Sequence, residues 1–476
     1  MFKNRYFQFC LMLMTIYVLT GCDLDTSKEK SAVSIDKDSF SPKSVPAGHD
    51  TAYDINLKMS SEGDFELDTK LDIKNTSNDT WNELVFYLIP NVFTEETEYS
   101  GSQYKPGTLL IDEVVINGEK VEYELEKDAL TVPLKSPLEA DGEINVRVKY
   151  NFTQPEKGLR YTKSKANYHL AQFYPMLATY RDGGWNKEDY RFGVESFHTS
   201  YSDFNFTYEI PEGFTVATTS PNDSYPSATK GSVQASNVNA FFVGILKDPT
   251  IIEKKVGHIT INVLGFKVDS ELHQEVTDIA ADAITYFEEN IGMYPHDQID
   301  IVLDGIGMEY PGIVTAHSVI NGILQLDPEP LKKTVVHELA HQWFYGVISN
   351  DSYHDAWLDE GFTTFATDLF YYARNKEEEP YGDVFKEIEI DSKPVNLPMH
   401  EYEKEKEGYY FYRKPTVFLW GLFEERGGLK GAENFLSTYY DFYQYKEINS
   451  EEFIRFMKQY FDLSDDSVFE DWLKVK

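Results

Sequence analysis

The segment VVHELAHQW, Val335–Trp343, sets two histidines four positions apart around a glutamate. It lies in LKKTVVHELAHQWFYGV, whose pattern predicts a helix from about Leu331. One helical turn separates His337 from His341, so both imidazoles leave one face and can meet a single ion. Glu338 is rotated by about 100° from His337. It therefore stands clear of the ligand row, beside the place a metal-bound water would take. Metal hydrolysis needs this division of labour: three protein ligands, an open fourth position and a base within reach of it.

The third ligand is expected from a neighbouring element. DAWLDEGF, Asp355–Phe362, puts Glu360 nineteen positions after His341. That leaves room to finish the first helix, turn at Ser349-Asn350-Asp351 and begin an antiparallel helix with Glu360 facing the histidines. The joint pattern, His-Glu-x-x-His followed at this distance by Glu within Trp-Leu-x-Glu-Gly-Phe, resembles the M1 family of zinc aminopeptidases in the gluzincin group. The resemblance implies one Zn2+ per chain, held by His337, His341 and Glu360, with Glu338 as the base acting on a zinc-bound water.

A second stretch carries the same resemblance. GIGMEYPG, Gly305–Gly312, is similar to the family's Gly-x-Met-Glu-(Asn/Tyr) segment. This implies that Glu309 binds the substrate's free α-amine while the strand at Gly307 and Met308 aligns the peptide by edge addition. A partly buried carboxylate is a direct receptor for an ammonium group. The family's oxyanion-stabilising tyrosine is sought in EGYYFYRKPTVFLWGLF, Glu407–Phe423, where Tyr409, Tyr410 and Tyr412 are candidates. Tyr412-Arg413-Lys414-Pro415 matches the family's Tyr-x-Lys-Gly best, with proline in place of glycine. Pro415 suits the first turn of a helix expected to run to Glu425, leaving Tyr412 at the helix mouth with its hydroxyl free. LAQFYPMLATY, 170–180, resembles the β-domain segment that contributes a glutamine near the amine, which implies Gln172. The family's supporting acidic residue seven positions after the third ligand is replaced by Thr367, with Asp368 next to it as a substitute.

Outward from these motifs the chain divides. TAYDINLKM, FELDTKLDI and INVRVKYNF carry the alternation and β-branched content of strands. Asn117-Gly118 in VVINGEKVEYEL is a strong hairpin signal. FNFTYEIPEGFTVATTS is read as a similar strand pair turning at Pro211-Glu212-Gly213. ELHQEVTDIAADAITYFEENIG then has helical spacing, and IDIVL, 299–303, reads as a strand. The expectation is an α+β chain: an antiparallel β domain over 49–247, then a mainly α, thermolysin-like zinc-peptidase domain over 248–476. Larger M1 enzymes continue into a helical domain that covers the cleft. The resemblance stops without it here, which implies a more open cleft.

The 476 residues suit two or three domains. A formal net charge of −36 disfavours nucleic acid and anionic lipid headgroups as partners. At the start, Lys3 and Arg5 precede an apolar run from Tyr6 to Leu19 and then Leu19-Thr20-Gly21-Cys22. Residues 1–22 read as a secretory signal whose end resembles the bacterial lipoprotein box. That resemblance implies lipidation of Cys22 and an extracytoplasmic, membrane-anchored protein. The polar stretch 23–48 is expected to be a flexible tether reaching roughly 25–30 Å. Cys10 lies in the discarded segment, so neither a disulfide nor thiol catalysis is expected. The leading reading is an aminopeptidase acting on peptides with a free amino terminus. Two others stay open: a gluzincin endopeptidase, and a non-catalytic peptide-binding or scaffold protein on a peptidase fold. The Gly307–Tyr310 stretch argues against the first, and the presence of Glu338 beside all three ligands against the second.

Overall fold

The computed structural model describes residues 40–94, 105–266, 270–317, 319–320, 323–324, 328–375 and 393–475. The signal segment, Cys22 and most of the tether lie outside the described residues.

Strict alternation shapes the amino-terminal domain. His49–Met59 and Phe65–Asn75 pair antiparallel along their whole length. Tyr53, Ile55, Leu57, Leu67, Leu71 and Ile73 are buried, while Lys58, Lys70 and Asp72 face water. These strands are central in a seven-stranded sheet, which runs 230–238, 202–209, 49–59, 65–75, 143–153, 108–116 and 119–120 in space. Its pairs are antiparallel except His49–Met59 with Ser202–Glu209, which is parallel. Two four-stranded sheets contribute to the same core, through Trp81, Leu84 and Leu130 from one and Tyr161, Leu170, Val216 and Ile245 from the other. Asn117 and Gly118, both at positive φ, close the expected hairpin between Thr108–Ile116 and Glu119–Lys120. The expected partnership across Pro211-Glu212-Gly213 is corrected. Phe214–Thr218 leaves the sheet of Ser202–Glu209 and pairs with Val243–Lys247, so this turn moves the chain between sheets.

The second domain opens with a small sheet. Thr250–Val256 pairs antiparallel with Ile259–Gly265, and Gln298–Val302 and Ile313–Thr315 extend it in parallel. Helix α1, Ser270–Asn290, makes the crossover, burying Val276, Ala280, Ala283 and Phe287 at helical spacing. The helices that follow are α2 (Glu329–Ala340), α3 (Ala356–Asn375), α4 (Lys414–Glu424), α5 (Gly428–Tyr443) and α6 (Ser450–Phe461). With α1 and the sheet they enclose a second core containing Trp343, Trp357, Phe362, Tyr439 and Trp472. None of the described helices is long and apolar enough to cross a membrane.

Two boundaries differ from expectation. α2 ends at Ala340, with His341 still in helical geometry as its cap. The chain then passes through Tyr345 at φ 146° and forms a short strand, Ile348–Asn350, parallel to Lys446–Ile448. Ser349 and Asn350 are therefore in a strand, and the turn falls at 352–354. Asp351 Oδ1 accepts from the amides of Tyr353 and His354, closing it.

The two domains meet over apolar and polar contacts. Ala171, Ala217, Phe242 and Leu246 pack against Leu264, Val302, Met308, Tyr310 and Ile313. The Phe242 and Tyr310 rings stack with centroids 4.3 Å apart. Asp304 accepts from Asn167 Nδ2 at 2.6 Å and lies 3.2 Å from His169 Nε2. The β domain thus grips the chain immediately before and at the segment bearing Glu309.

Candidate metal and amine site

The last turn of α2 presents His337 and His341 to Glu360 on the first turns of α3. Three atoms form a triangle: His337 Nε2 to His341 Nε2, His337 Nε2 to Glu360 Oε2 and His341 Nε2 to Glu360 Oε2 are each 3.2 Å. Ligands about 2.0–2.1 Å from a tetrahedral zinc lie about 3.3 Å apart, so the donor set fits that ion. A nitrogen, nitrogen, oxygen triad with one side free is the donor chemistry of a catalytic rather than a closed site. Burial works to raise the Glu360 carboxyl, but hydrogen bonds from His337 and His341 outweigh it and hold it below the ordinary carboxylate range.

The ligands are themselves held. His341 Nδ1 lies 2.9 Å from Asp359 Oδ1 and 2.9 Å from Thr363 Oγ1, which turns Nε2 toward the triangle. Asp359 Oδ2 accepts from Ser352 Oγ at 2.9 Å. Asp359 occupies the variable position of Trp-Leu-x-Glu, and the sequence reading passed over it. Asp368, the expected support, lies 3.6 Å from Lys333 Nζ and also exerts its charge on His337. Thr367 donates to the Thr363 carbonyl.

Glu338 is buried beside the triad, and desolvation pushes its carboxyl up to about 8, with the His341 charge opposing. Gly307 explains how the neighbouring strand comes so close. A Cβ there would lie 2.5 Å from Glu338 Oε1. Met308 exchanges backbone hydrogen bonds with Thr315 at 3.1 and 2.9 Å, which fixes the strand. Gln342, within the motif itself, accepts from the Gly312 amide at 2.9 Å and donates to the Tyr310 carbonyl at 3.1 Å. The metal helix and the Glu309 strand are thereby tied together.

Glu309 is buried. Carboxylate oxygens of Glu309, Glu195 and Asp359 lie within 4.8 Å of one another. Burial first, and the Glu195 charge second, push the Glu309 carboxyl well above the usual range. Three carboxylates so close call for a cation. One is built in: Arg160 Nη1 lies 2.5 Å from Glu195 Oε1, and both side chains are nearly buried. Neither Glu195 nor Arg160 sits in any motif of the sequence, and only the apposition of the domains reveals them.

Tyr412 donates to Glu360 Oε1 at 2.5 Å, and its ring lies 5.9 Å from that of His337. It sits in a π-helical turn, Tyr409–Arg413, that leads into α4. Its hydroxyl is thus engaged by the third ligand, not free. Tyr410 points away, stacked on Tyr402 at 4.6 Å and accepting from the Lys393 amide. The Tyr409 hydroxyl is buried without a hydrogen bond among the described residues. Gln172 is buried at positive φ, next to Ala171 of the domain junction. Its amide also makes no hydrogen bond among the described residues.

With this geometry in view, comparison with known proteins is specific. The profile of the peptidase family M1 domain matches residues 276–472. The chain belongs to peptidase family M1. Alanine/arginine aminopeptidase of Saccharomyces cerevisiae is 29% identical over 196 residues, covering 38% of this chain and 21% of the relative. Aminopeptidase N of Streptomyces lividans is 26% identical over 181 residues, covering 34% and 21%. The matched stretch thus spans about a fifth of these relatives. The M1 zinc metallopeptidase from Deinococcus radiodurans shares the fold at a TM-score of 0.63 and 15% identity, over 91% of this chain and 95% of that one. Glu309, Glu338, Glu360 and Tyr412 fall inside the M1 match, whereas Gln172, Arg160 and Glu195 lie before it.

Proposed function

We propose that this M1 chain is a zinc aminopeptidase that removes the first residue from peptides outside the cytoplasm. The observation that carries the reading is the joining of a 3.2 Å ligand triangle to a buried carboxylate cluster across a single base, Glu338. His337, His341 and Glu360 would hold Zn2+, which when bound supplies Lewis acidity and makes water a better nucleophile at neutral pH.

The residues of the chain do the rest. Glu338, desolvated and with a carboxyl near pH 8, takes a proton from the attacking water and returns it to the leaving amine. Tyr412 is close enough to the ligand set to donate to the developing oxyanion. Glu309, with Glu195 and Asp359, receives the α-ammonium, and the Gly307–Met308 edge aligns the peptide backbone. A structural neighbour, an M1 zinc metallopeptidase from Deinococcus radiodurans, was solved bound to a Tyr-Ser-Ala substrate, which supports peptides as the ligand class. The extracytoplasmic place and the lipid anchor rest on the sequence pattern that ends at Cys22.

A panel of aminoacyl-amides tested with and without a zinc chelator examines this directly. Chelator-sensitive release of the first residue is expected. No cleavage of any member would favour the non-catalytic binding reading, and cleavage of blocked internal bonds the endopeptidase one.

A further inference from the structure

A cavity of about 250 Å3 opens directly off Glu360 and Tyr412. At about 30 Å3 per water it has room for several waters, or for one large side chain. Val194, Ala356, Met399 and Phe411 give it apolar walls, the last three buried. The acidic and basic groups deep in its wall already have partners. Arg160 is paired with Glu195 at 2.5 Å, and Glu407 lies 3.4 Å from Arg191 Nη2. Lys404 at the rim is exposed. A charged guest would lose water and meet ion pairs that are already complete, whereas a large uncharged guest would displace water from apolar surface.

Gly408 lines this cavity. Its backbone is right-handed helical, φ −59° and ψ −30°, which any residue adopts. A Cβ built on it meets no heavy atom within 4 Å. Neither conformation nor contact therefore requires glycine here, and the missing side chain leaves the cavity open. Gly193, also on the wall, has φ +89° and is conformationally bound to glycine.

We propose that this cavity receives the side chain of the substrate's first residue, that it selects large uncharged side chains, and that Gly408 sets its depth. The proposal rests on the aminopeptidase reading and names its substrate class: peptides beginning with aromatic or long aliphatic residues.

The test uses the zinc-loaded full chain and the p-nitroanilides of phenylalanine, leucine, alanine, arginine and glutamate. For the unmodified protein, kcat/KM for the phenylalanyl and leucyl substrates should exceed that for alanyl by at least about tenfold, and should exceed those for arginyl and glutamyl. Gly408→Leu should lower the phenylalanyl-to-alanyl ratio by at least about tenfold, with Gly408→Ala intermediate. Calorimetric binding of free L-phenylalanine and L-alanine gives a readout apart from turnover. The substitution should weaken phenylalanine more than alanine, and the melting temperature should show that both variants fold. An unchanged ratio in Gly408→Leu, or arginyl as the best substrate of the unmodified chain, overturns the proposal. Cleavage of the alanyl substrate without any size preference overturns it alone. Failure to cleave any of the five overturns the aminopeptidase reading, and this proposal falls with it.

Discussion

The metal triad and the amine site share Glu338 as a neighbour but are built in different ways. His337, His341 and Glu360 come from two successive helices within residues 337–360. The carboxylate cluster takes Glu195 from the β domain, Glu309 from the strand before α2 and Asp359 from α3. Helix geometry alone aligns the first, whereas the second exists only because two domains are pressed together. Metal chemistry is thus encoded locally and recognition non-locally. Substitutions should separate the two.

The largest separation is expected at Glu338. Glu338→Gln should lower kcat/KM by about 10³–10⁴-fold, with one zinc per chain retained in elemental analysis. Loss of the metal together with activity would merge base and ligands into one unit. Tyr412→Phe comes next, lowering kcat by about 10²–10³-fold with zinc again retained. Glu195→Gln, on the other domain, should cost about 10–100-fold, chiefly in KM, without touching metal content. An effect of Glu195→Gln on zinc affinity would show that recognition and ligation are not separable.

The smallest effect concerns the junction itself. Tyr225 of the β domain hydrogen-bonds Asp300, which also accepts from Asn262 at 2.9 Å and Gln298 at 3.0 Å. Burial raises the Asp300 carboxyl to about 7. A carboxyl raised on folding stabilises fully below its unfolded value, and that contribution is lost as pH rises through about 7. The melting temperature of the unmodified chain should therefore fall, relative to Asp300→Asn, by a few degrees between pH 5 and pH 8. Parallel melting curves across that range would place the shifted group elsewhere.

The sequence spells out the local half of this arrangement. One turn between His337 and His341, and the room needed to reverse direction before Glu360, follow from helix dimensions. Where α2 stops does not, because Ile348–Asn350 finds its partner in Lys446–Ile448, far along the chain. Pro211-Glu212-Gly213 reads as a hairpin turn, yet Phe214–Thr218 joins another sheet through contacts no local pattern specifies. Glu195 and Arg160 carry no motif and acquire meaning only opposite Glu309. Asp359 and Gln342 were in plain view inside the motifs. Their roles, orienting His341 and tying down the Glu309 strand, depend on what the neighbouring elements present to them.

The central claim is that a free amino terminus is read by the carboxylates at the domain junction while the helix pair performs the chemistry. The most direct measurement compares leucyl-p-nitroanilide with its Nα-acetylated form on the zinc-loaded chain. The free substrate should be cleaved and the acetylated one at least about 10²-fold more slowly, since acetylation removes the charge and leaves buried carboxylates unpaired. Equal rates on the two substrates would contradict the account.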